Sequence, residues 1–121
     1  LIEMAEVDRR AIRQVIGQQI AAFQQNDAIA AFSQAAPGIQ QQFGSADNFV
    51  AMVEAAYPSV YRPRSVVFEN VLTVEDLPAQ QVMLMDQAGQ LIRATYLMQQ
   101  QRTGEWKIAG CYLTPMGLKE G

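Results

Sequence analysis

The feature that constrains this chain most is a change of hydrophobic period at Pro63. Before it, apolar residues recur at helical spacing; after it, they alternate one by one. In the first half, Ile12, Ile16, Ile20 and Phe23 form an amphipathic stripe with Val15 beside them, while Arg9, Arg13, Gln14 and Gln18 face away. Asp8 is placed to cap this helix at its start, and "QQND" should end it. Asp27 caps a shorter second helix with Ile29 and Phe32 inward, and Pro37–Gly38 breaks it. "PGIQQQF" adds a turn or two anchored by Ile39 and Phe43. Ser45 opens a further helix whose buried face is Phe49, Met52, Val53 and Ala56. Tyr57–Pro58 stops it, because the residue before proline avoids helical angles.

The second half reads as a meander. "SVVFENVLTV" sets Val66, Phe68, Leu72 and Val74 against Ser65, Glu69 and Thr73. "EDLP" turns into a second strand, "AQQVMLMD", and "QAGQ" is a tight hairpin turn in which Gly89 can take positive φ. "LIRATYLMQQ" is a third strand, with Ile92, Ala94, Tyr96 and Met98 on one face and Arg93, Thr95 and Gln99 on the other. After a turn at Gly104, "WKIAGCYL" is the fourth, with Trp106, Ile108 and Tyr112 on one face. Three to four helices followed by antiparallel strands, with no βαβ alternation, predict an α+β fold with the helices on one side of the sheet. At 121 residues the chain is read as a single domain spanning 1–121, with 1–7 a flexible N-terminal end.

Composition excludes several functions. The net charge is −3, and the only basic clusters, "DRRAIR" and "RPR", are short and read as solvated arginines. No Lys/Arg patch exists to displace counterions, so nucleic acid is not an expected partner. No apolar run approaches the roughly 20 residues of a membrane span. With no histidine, one cysteine and no dense acidic cluster, neither a metal nor a cofactor is expected. The first residue is Leu1 rather than Met, so a removed leader and a periplasmic or secreted location are expected, with the cytoplasm as the alternative.

"GEWKIAGCYL" holds the only tryptophan and the only cysteine. Trp106 and Ile108 occupy the face that covers the helices, and Gly110 on that face leaves a gap for a neighbour, a bulge or a ligand. Cys111 is read as pointing the other way, beside Ala109 and Leu113. Lys107 on that face lies roughly 13 Å off by strand rise, too far to stabilise a thiolate, so Cys111 is read as a packing residue.

The same phrase, following a helix–short helix–helix series, resembles the nuclear transport factor 2-like (cystatin-like) superfamily, which includes the ketosteroid isomerases. More narrowly, "QQIAAFQQNDAIAAFSQAAPGIQQQFG" with "FVAMVEAAYPSVYRP" resembles a bacterial domain family of unknown function within it. The resemblance implies a curved four-stranded sheet whose concave face holds the helices, a cone with a pocket at its open end, and frequent dimerisation through the outer sheet face. The superfamily's catalytic sets do not transfer. The isomerases use an aspartate after the second helix, where this chain reads "SQAAPG", and its first helix offers Gln19, Ile20 and Phe23 inward, with no tyrosine. The dehydratases need histidine. Arg93 could serve an Asp–Arg–Asp hydrolase set, but no two partner aspartates fall on inward strand positions; it is read as paired with Glu69 or Glu105 on the outer face.

Five residues are candidates to line a pocket. Tyr57 and Tyr61 flank the hand-over from helix to sheet. Asn70 falls between Phe68 and Leu72, where it either hydrogen-bonds a ligand or satisfies backbone groups at a bulge. Tyr96 lies inward on the third strand, and Trp106 inward on the fourth. Met52, Met83, Met85 and Met98 suit either irregular core filling or an undemanding apolar pocket. The expected function is a non-catalytic module that binds a small apolar or amphipathic molecule. The alternatives are a homodimeric interaction module using the outer sheet face, and an isomerase, hydratase or hydrolase with an atypical site.

Overall fold

The computed structural model describes residues 3–116. Five helical segments precede the sheet: α1 Glu6–Gln24, α2 Ala28–Ser33, α3 Pro37–Phe43, α4 Ala46–Ala56 and α5 Pro58–Tyr61. Four strands follow, β1 Ser65–Val74, β2 Leu77–Met85, β3 Leu91–Gln100 and β4 Trp106–Pro115, paired antiparallel in the order β1-β2-β3-β4. The expected α+β class and its helices-then-meander order are what the structure shows.

The stripe of α1 is the centre of the core. Ile12, Ile16, Ile20 and Phe23 are buried in one cluster with Val82, Leu84, Ala94, Tyr96 and Met98 of the sheet. Burying each such side chain is worth about 1.5–3 kcal/mol, so this contact dominates the docking of helices on sheet. The start of α1 differs from expectation. The helix begins at Glu6, with Ala5 as its N-cap residue and no side-chain cap, and Met4 packs against the core. Asp8 lies in the first turn, where its Oδ1 accepts the Trp106 Nε1–H at 3.4 Å instead of a backbone N–H.

Arg62 closes the other end of α1. Its guanidinium donates to the Phe23 carbonyl and, at 2.8 Å, to Asn26 Oδ1, and it stacks 4.2 Å from the Tyr61 ring centroid. A cation at a helix C-terminus answers the unpaired carbonyls there. This corrects the reading of "RPR" as merely solvated. Asp27 and Ser45 do cap α2 and α4, accepting from Ala30 N–H and Asn48 N–H, both at 3.1 Å. In α2, however, Ala31 is the buried residue and Ile29 is 77% exposed. A helix this short presents one narrow strip, here wedged between α1 and α4. Residues two positions apart in an α-helix point roughly 200° from one another, so burying Ala31 turns Ile29 outward.

The sheet departs from simple alternation at two places. In β1, Phe68 pairs with Val82 but Val71 pairs with Gln80, so one extra residue is accommodated between them. Val71, not Leu72, therefore takes the enclosed position after the bulge, with 1% exposure. In β4, Met98 faces Ile108 while Leu97 faces Gly110, which leaves Ala109 as the extra residue. Directly paired residues share a face. Cys111, opposite the buried Tyr96, thus points inward, and Gly110 lies opposite Leu97, where an added Cβ would come 3.5 Å from Leu97 Cδ1. Tyr112 turns to the outer face, half-exposed, and donates to Glu75 Oε2 at 2.8 Å. Simple alternation puts Cys111 outward and Tyr112 inward; the bulge reverses both, because one inserted residue exchanges the faces of all that follow.

The β1–β2 hairpin is tighter than expected. Glu75 and Asp76 both have positive φ, 54° and 64°, as a two-residue turn requires, so β2 begins at Leu77. Arg93 pairs with Glu69 on the outer face at 2.9 Å. The lower end of β4 is covered by the α2–α3 connection, where Ala36 N–H donates to the Ile108 carbonyl and Ile108 N–H to that of Gln34.

Gln80 holds the β1 bulge. It is fully buried, and its Nε2 donates to the carbonyls of Glu69, at 3.1 Å, Asn70 and Gln81. Replacing it with Leu would strip those carbonyls of their donor inside the protein. Gln80→Leu is expected to lower stability by about 1–3 kcal/mol in urea unfolding; an unchanged midpoint would show that the bulge needs no side-chain support.

Candidate functional site

A cavity of about 520 Å³ lies between α3, α4 and the β3–β4 half of the sheet. Its helical wall is Ile39, Phe43, Phe49, Met52, Val53 and Val60, and its sheet wall is Tyr96, Ile108, Gly110 and Cys111. Gln19 of α1 and Tyr57 complete it, and the exposed Gln42 and Ala56 mark its rim. Each wall follows from local sequence. The αL glycine Gly44 ends α3 and Ser45 starts α4, so Phe43 and Phe49 are brought together with ring centroids 5.8 Å apart. On the sheet side the β4 bulge supplies Cys111. Among the described residues that line the cavity, none is Asp, Glu, Lys or Arg.

The cavity gathers only two of the five candidates from the sequence, Tyr57 and Tyr96. The Tyr57 hydroxyl donates to the Cys111 carbonyl at 3.3 Å, which ties α4 to β4. Tyr96 is 1% exposed and presents its ring, its hydroxyl enclosed without a partner. Tyr61 lies elsewhere, in a smaller depression of about 220 Å³ beside Asn26 and Asp47, where it packs 5.7 Å from the Phe23 ring. Asn70 is exposed at the β1 bulge, and its carbonyl is one of those held by Gln80. Trp106 is buried against the start of α1 and does not line the cavity.

Burial sets the protonation of the interior. It pushes the Tyr96 hydroxyl well above its ordinary range, and the neighbouring Cys111 adds to the effect. The Cys111 thiol is pushed up to about 12, since protein atoms surround it even though part of the residue stays open to the cavity. Shifted upward in this way, both groups hold their protons near pH 7, which works against either as a base or nucleophile there. Among the described residues no set of Cys, Asp and Glu is grouped to hold a metal ion, and no helix is long and apolar enough to cross a membrane.

The family model for a domain of unknown function, DUF4864, matches residues 5–119. The chain belongs to this DUF4864 family. No curated protein and no solved structure matches it.

Gln19 and Cys111 of this DUF4864 domain line the cavity without being among the five candidates of the sequence. Gln19 carried a usable signal, a polar residue at an inward position of an apolar stripe. Cys111 carried none, because its face depends on the bulge. One expectation follows from its environment. Iodoacetamide at pH 8 should alkylate native Cys111 about a thousandfold more slowly than the unfolded chain, matching the loss of thiolate. Because the folded thiol holds its proton more tightly, this group's share of stability is intact below about pH 9 and is lost as pH rises toward 12. Cys111→Ala should reduce that alkaline loss in thermal unfolding; equal alkylation rates folded and unfolded would contradict the assignment.

Proposed function

We propose that this domain binds a small, uncharged, largely apolar molecule in the cavity and does not transform it. One observation carries this reading: an interior of about 520 Å³ whose lining includes no charged side chain among the described residues. Its volume falls within the range of small-molecule sites, about 300–1,000 Å³. The lack of counter-charge disfavours ionised ligands, since an unpaired ion loses more hydration than an apolar wall returns. Met52, a flexible thioether on the wall, suits a site that adapts to shape. The resemblance to the nuclear transport factor 2-like superfamily, whose cone encloses a pocket, agrees with it.

Catalysis has less support. General acid–base work needs a group tuned toward neutral pH, and burial moves both Tyr96 and Cys111 the other way. A homodimer through the outer face also has less support, because the exposed apolar side chains there, Val67 and Tyr112, are accompanied by the Arg93–Glu69 pair and Thr114.

The test is titration with N-phenyl-1-naphthylamine, an uncharged probe that fluoresces in apolar surroundings. Saturable enhancement with one site per chain is expected. Met52→Trp, which puts an indole into the cavity, should weaken it at least about tenfold, as expected from filling the space a ligand would occupy, with little change in melting temperature. Absence of saturable enhancement in the unmodified protein would remove the reading.

A further inference from the structure

Gln19 is an anomaly in the stripe of α1. It lies between Ile16 and Ile20, is 3% exposed, and lines the cavity. A glutamine enclosed among apolar side chains is unfavourable unless both ends of its carboxamide are answered. One end is. Nε2 donates to the Ala31 carbonyl of α2 at 3.1 Å. A carbonyl only accepts, so this bond fixes which end of the amide faces α2 and leaves Oε1 turned from it.

No described residue donates a hydrogen bond to Oε1. Among the described residues, the sealed side-chain oxygens without partners are Ser59 Oγ, Gln80 Oε1 and the Tyr96 hydroxyl. Gln19 Oε1 is not among them, so it is not sealed, and the space its residue lines is the cavity. It is an immobilised acceptor in an apolar chamber whose lining carries no charged side chain among the described residues. The Tyr57 hydroxyl gives its proton to the Cys111 carbonyl, so it too offers the cavity only an acceptor.

We infer that Gln19 is the polar anchor of the cavity, and that its ligand is an uncharged apolar molecule bearing a hydrogen-bond donor, a hydroxyl or N–H, which Gln19 Oε1 accepts. This rests on the binding reading above and narrows it. A hydrocarbon would leave Oε1 without a partner once the cavity is filled, and so would an ether or a ketone, which bring only acceptors. A carboxylate would set negative charge against Oε1, and an ammonium would find no carboxylate among the described residues of the wall. A donor satisfies the amide in a low-dielectric site, where the alternative is an unpaired buried acceptor.

Three naphthalenes of nearly equal shape separate the possibilities: 1-naphthol, 1-methoxynaphthalene and 1-methylnaphthalene, each titrated calorimetrically into the protein at pH 7. The naphthol should bind at least about tenfold more tightly than the other two, the difference made by one buried hydrogen bond. In Gln19→Leu, which keeps the volume but removes the acceptor, the three should bind alike, with the methyl compound no weaker than before. Equal affinities in the unmodified protein, or a naphthol preference that survives Gln19→Leu, would overturn the anchor and leave the binding reading standing. Binding by none of the three would remove both. Should Gln19→Leu fail to fold, for loss of the α1–α2 tie, the comparison of the three compounds on the unmodified protein decides alone.

Discussion

Two inserted residues, one in each edge strand, set the terms for the rest of the molecule. A bulge exchanges the faces of a strand beyond it and bends it. In β4 the extra residue at Ala109 lets Trp106 and Ile108 face inward on one side and Cys111 on the other, with Tyr112 sent out to Glu75. In β1 the extra residue brings Val71 into the core and leaves Asn70 outside. Each irregularity exposes backbone groups that must be answered, and each is. Gln80 supplies the donors at β1, and the α2–α3 connection pairs with Ile108 beside the bulge of β4.

Between these two bends the sheet receives α1, and the fit is tight along Ile12, Ile16 and Phe23. It is less complete toward α3 and α4. There Phe43, Phe49 and Met52 meet the β3–β4 half across a cavity rather than across closed contact. Among the described residues its wall carries no Asp, Glu, Lys or Arg, and burial holds Tyr96 and Cys111 neutral. Among its polar groups, the glutamine of α1 is fixed by α2. This arrangement is the basis of the proposal that the chamber receives a neutral molecule carrying a donor.

The order of elements was legible because each rests on local chemistry. The period change at Pro63, the caps Asp27 and Ser45, the helix end before Pro58 and the hairpin at Gly89 appear where the residues place them. The strand bounds of β1 and β3 coincide with "SVVFENVLTV" and "LIRATYLMQQ". The candidate site was less legible. Tyr57 and Tyr96 line the cavity because their positions follow from element ends and from unbroken alternation, whereas Trp106 and Tyr61 satisfy the same patterns yet pack against the two ends of α1.

What the amino-acid order determined by itself is everything governed within a few residues: period, caps, turns and the class of fold that helices before a meander must make. Only the tertiary structure decided which way Cys111 and Tyr112 point, that Ile29 is outside, that Arg62 closes α1 and that Gln19 has one end unanswered. These depend on the parity of a strand after a bulge and on partners far away along the chain, and no local pattern carries either.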